Sequence, residues 1–115
     1  MTIDGPLLGA VRHYLMGMVG AAALMHSELE ANPEHDLSGQ IEGAKTAFLR
    51  NGRAILDDPA HYAHQKDYSI TEDDRAFLEG LLKEGKGADW NSKKQVMGID
   101  AKIDEYAPHV GGLND

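Results

Sequence analysis

Residues 6–31 constrain the fold more than any other part of the chain. They form one apolar stretch, opened by Pro6 and closed by Asn32-Pro33, with Arg12 as its only formal charge before Glu28. Proline suits a first helical turn, where its missing N–H would be an orphan anyway. The residue before a proline avoids the α region, so a helix ends at Asn32. Val11, Leu15, Met18, Ala22, Met25 and Leu29 recur at steps of four and three, the seam of a packed helix. A second row, His13, Gly17, Gly20, Leu24 and Ser27, has the same rhythm in mostly small side chains. Glycine inside a helix costs up to about 1 kcal/mol against alanine. The row therefore reads as a groove into which a neighbouring backbone packs. With both rows taken as buried, this is expected to be the central helix.

The remaining signals are also helical. Asp36 or Ser38 can cap a second helix, which runs to Asp57 with Leu37, Ile41, Ala44, Phe48, Ile55 and Leu56 on one side. Gly39 and Gly43 are expected to add small positions opposite the end of the first helix, making a long antiparallel hairpin. Asp58-Pro59 opens a short helix. Thr71 caps another at Glu72-Asp73-Asp74, with Phe77, Leu78, Leu81 and Leu82 as its buried stripe and Gly85 as its stop. A last helix, residues 91–106, turns Val96, Ile99, Ile103 and Tyr106 inward and ends before Pro108; a mobile tail at Val110 to Leu113 follows. The expectation is one all-α domain over residues 1–115, a small bundle built on the N-terminal hairpin plus two or three shorter helices.

Composition narrows the function classes. The chain has no cysteine, which removes disulfides, thiolate nucleophiles and Cys-based metal sites. Nineteen acidic residues against 11 basic ones give a formal charge of -8. That field repels phosphate backbones, so nucleic acid is not the expected partner. The start of the chain lacks the pattern of a cleaved signal peptide. A cytoplasmic or virion-associated location is expected, or the inner membrane under the membrane reading below.

No catalytic constellation stands out. Asp57, Asp58, His61 and His64 form the best metal candidate, since His61 and His64 would share one helical turn. A fourth ligand is missing, and surface histidines at a helix start explain them more simply. His26 and Glu30 read as a hydrogen-bonded pair rather than an acid/base couple, and His13 as a core histidine with a satisfied partner. Glu34-His35-Asp36 reads as a solvated turn. Ser27, Ser38, Ser69 and Ser92 lie in no nucleophile motif, and the glycines form no phosphate loop. No cofactor is expected.

Residues 7–25 also just reach the length of a bilayer span, about 20 residues. Val11-Arg12-His13-Tyr14-Leu15, Gly20-Ala21, Leu24, Asp36-Leu37, Ile41 and Gly43-Ala44 resemble the two-helix pattern of small phage holins. The resemblance covers residues 7–52 and implies a membrane hairpin. Glu42, Lys45, Arg50 and Arg53 depart from it, since lipid would not tolerate them on a second span. The leading expectation is a non-enzymatic helical interaction or assembly protein in a phage or prophage setting. Its partner is another protein or a second copy, with a homo-oligomer expected. The alternatives are a holin-like membrane-active protein and a small acidic inhibitor that binds a basic protein surface through Glu72, Asp73 and Asp74.

Overall fold

A computed structural model describes residues 5–106. The expected tail at Val110 to Leu113 and the stop at Pro108 lie outside those residues. Helix α1 spans Gly5–Ala31, and its segment Val11–Met16 is wound as a π-helix, whose hydrogen bonds reach five residues back. The wider turn sets the register of the buried row. Leu7, Val11, Leu15, Val19, Ala22 and His26 face the core, with three successive four-residue steps through the π segment. Beyond it, the expected seam at Met18, Met25 and Leu29 lies on the flank, half-buried, while Val19 and His26 take the core positions. A regular period of 3.6 residues could not reveal that shift.

Helix α2, Ser38–Asp57, returns antiparallel to α1 and buries Ile41, Ala44, Phe48, Gly52, Ile55 and Leu56. Asp36 organises the turn before it: one carboxylate oxygen accepts from the Ser38 amide at 3.1 Å and its hydroxyl at 2.8 Å. These bonds hold the Asp36 carboxyl below its ordinary value. Farther along the hairpin, the Asn51 amide donates to the Tyr14 carbonyl oxygen over 2.9 Å. That carbonyl lies in the π segment, so the side chain of α2 satisfies backbone beside an irregular turn.

Helix α3, Pro59–Ala63, begins as its sequence implies, with the Asp58 side chain accepting from the His61 amide at 3.4 Å. Helix α4, Glu72–Gly87, is capped by Thr71, whose hydroxyl accepts from the Asp74 amide at 3.1 Å. Helix α5, Lys93–Tyr106, buries Val96, Ile99 and Ile103. The four long helices run alternately up and down, α1 beside α2 and α5, and α4 beside α2 and α5. The all-α bundle expected from sequence is the observed fold.

Two expectations about glycine change. Gly85 does not stop α4; it is buried inside the helix, where an added Cβ would lie 2.5 Å from Phe48 Cε2. Gly52 likewise makes room for Leu82. Gly39 and Gly43 are instead exposed, and a Cβ at either meets nothing within 4 Å. They do not receive the end of α1; in this part of α2 the buried positions are Ile41 and Ala44.

Candidate functional site

The second row of α1 is not buried. Gly17, Gly20, Ala21, Ala23, Leu24 and Ser27 line an open groove whose far wall is Lys93 and Met97 of α5. Leu24 is 73% exposed and Met97 43%. The expectation of a helix buried on both faces is therefore corrected: α2 and α5 cover one side of α1, and no described element covers the row through Gly17 and Gly20. A Cβ at Gly20 would meet nothing within 4 Å, and one at Gly17 would meet only the Arg12 carbonyl oxygen at 3.8 Å. Neither glycine is required by packing inside the chain, unlike Gly52 and Gly85. Lys93 closes the rim with an ion pair of 2.8 Å to Glu30.

His13 lies on the same open side and is exposed, not a core histidine. It lines a cavity of about 230 Å³ with Pro6, Gly9, Ala10, Tyr14, His61, Tyr62 and His64. Four rings run along it edge to face: His13 to Tyr14 at 4.7 Å, Tyr14 to Tyr62 at 5.4 Å, and Tyr62 to His61 at 5.0 Å. Both backbone irregularities of the fold deliver side chains here. The π segment carries His13 and Tyr14, and His64 ends α3 in the left-handed region at φ 55°. Such departures from regular backbone cluster at functional positions.

His61 and His64 line the cavity together, with His64 at the C-cap of α3 in the left-handed region. Among the described residues no three metal-binding side chains converge where an ion could sit, and Asp57 and Asp58 are not part of the cavity lining. His26 does not bond Glu30. It is buried and lies 2.9 Å from the Trp90 carbonyl oxygen, while Glu30 holds Lys93. The acidic triplet is also split: Glu72 and Asp73 are exposed, but Asp74 is 4% exposed, which removes it as a surface contact.

Sequence reasoning named His13, Gly17, Gly20 and Leu24 but missed Tyr14, Tyr62, Lys93 and Met97. Tyr62 carried a signal, since it lies between His61 and His64. Met97 carried none, because its neighbour Val96 is core and only the observed rotation of α5 separates them.

No family model, curated protein or solved structure matches the chain. The functional reading therefore rests on these residues alone.

Proposed function

We propose that the chain is a non-enzymatic assembly protein that pairs with a second copy of itself through the open face of α1. The observation that carries this reading is the pair Gly17 and Gly20, which nothing inside the chain requires, in one row with a 73% exposed Leu24. Each glycine costs up to about 1 kcal/mol of helix stability, and a close helix contact offsets that cost. Gly39, Gly43 and Gly80 are as open, but they have no comparable protruding leucine in their row.

The row is complementary to itself. Leu24 is a protruding side chain and Gly17 a notch, two helical turns away on the same face, about 10 Å apart along the axis. An antiparallel two-fold contact centred between Gly20 and Ala21 sets each Leu24 over the partner's Gly17. One surface thereby supplies both halves of an isologous interface.

A second reading has an observation of its own. Helix α1 is long and apolar enough to cross a membrane, and only 33% of its most apolar stretch is buried in the fold. Mass by light scattering separates the two readings. Without detergent, the pairing reading expects about twice the 12.5 kDa of the chain, and a return to a single chain on Leu24→Glu. A monomer at every concentration would contradict it, and recovery of soluble protein only in detergent would favour the membrane reading.

A further inference from the structure

The open face of α1 continues past the groove into the imidazole cavity, and the two ends of the helix differ in charge. Around the cavity stand His13 and Tyr14 from α1 and His61, Tyr62 and His64 from α3, with no carboxylate in the lining. Arg12 precedes His13 in sequence but is not part of the lining, and its Nε and Nη2 are buried. Among the described residues, the exposed Asp57 and Asp58 at the junction of α2 and α3 carry opposing charge at this end.

The other end of α1 and the turn after it carry Glu28, Glu30, Glu34 and Asp36, all exposed. Within the chain, Glu28 Oε2 is engaged by His35 at 2.8 Å and Asn32 at 3.0 Å. Glu30 is engaged by Lys93.

Resting on the pairing proposed above, we infer that the cavity of His13, His61 and His64 is a carboxylate-accepting site, filled by the acidic end of α1 from the second copy. The register alone sets this up. With the two-fold centred between Gly20 and Ala21, the partner's Glu28 lies across from His13. Its helix end then reaches Ala10 of the cavity lining, and the turn that carries Glu34 follows directly. The two-fold makes each such contact twice.

Protonation then regulates the pairing. A neutral imidazole offers a carboxylate one N–H, whereas a charged one offers two donors and an opposite charge. Imidazoles change charge between about pH 5 and 8. Charged imidazoles therefore hold the partner's carboxylates more firmly at the lower pH. His35 works in the opposite direction, because its own protonation ties Glu28 more firmly within one chain. Glu34 carries no such bond, whereas Asp36 is already held by the Ser38 amide and hydroxyl.

The test is sedimentation equilibrium near pH 5.5 and near pH 8, at one low ionic strength, on the wild-type chain and on a His13→Gln, His61→Gln, His64→Asn variant. All three positions are exposed, and asparagine tolerates the left-handed turn at residue 64. The wild-type pair is expected to tighten about five- to tenfold at the lower pH, the scale of a few exposed ion pairs. The variant is expected to remain a pair whose affinity changes less than about twofold. A wild-type pair equally tight at both values overturns the inference, as does a variant that keeps the full pH response, and in both cases the pairing through α1 stands. A wild-type chain that is single at both values overturns the pairing itself.

Discussion

His26 Nε2 donates to the carbonyl oxygen of Trp90 over 2.9 Å, and this buried bond ties the connection between α4 and α5 to the C-terminal part of α1. Trp90 is fully buried, its indole N–H donates to the Gly85 carbonyl oxygen at 2.8 Å, and its ring meets Phe48 edge-on at 5.3 Å. One loop residue thus reaches α1, α2 and α4 at once. Replacing His26 by leucine leaves the Trp90 carbonyl without its donor, at a cost of about 1–3 kcal/mol. Since Trp90 is the chain's single tryptophan, its fluorescence during urea unfolding reads that loss directly.

The glycines divide into two kinds that alanine distinguishes. Gly85→Ala forces a methyl group against Phe48, and Gly52→Ala forces one against Leu82; each is expected to destabilise by about 1–3 kcal/mol. Gly20→Ala meets open space and is expected to stabilise the isolated chain by up to about 1 kcal/mol. Denaturant midpoints of the three variants test both signs.

Thr71→Ala removes the side-chain cap of α4, leaving the Asp74 amide unbonded by the hydroxyl. The expected loss is about 1 kcal/mol, measured by chemical unfolding. Thr71→Ser is expected to restore most of it, since the hydroxyl is the group that caps.

Asp36 makes stability depend on acid pH. The Ser38 hydroxyl and then the Ser38 amide hold its carboxyl below the ordinary 3.8. A lowered folded value means that the stabilisation is present above the unfolded value and is lost as pH falls through the folded one. Thermal melts between about pH 5 and 2.5 are therefore expected to fall less steeply for Asp36→Asn than for the wild-type chain.

The helices of this fold are legible in its sequence because caps and apolar periods are local. Asp58-Pro59 and Thr71 start helices where those residues stand, and Ile41, Ala44 and Phe48 face inward as their spacing implies. What escapes is set by tertiary contact. Trp90 sits in a five-residue connection with no period to read, so its place in the core was invisible. The π segment at Val11–Met16 has no composition of its own, yet it exchanges Met18 for Val19 in the core. The glycine row was read as a groove packed by a neighbouring backbone, but spacing alone could not show that no described element of the chain fills it. His13, read as a core residue, shares that row and shares its exposure.

The pairing of α1 with α1 is tested most directly by cross-linking. The chain has no cysteine, so one introduced thiol reports one position. Ala21→Cys places a thiol beside the proposed two-fold axis without replacing a glycine of the contact, whereas Gly80→Cys places one on the exposed side of α4. With a short thiol-specific cross-linker, Ala21→Cys is expected to yield a covalent pair in high amount and Gly80→Cys very little. Equal yields at the two positions, or none at residue 21, would contradict the account.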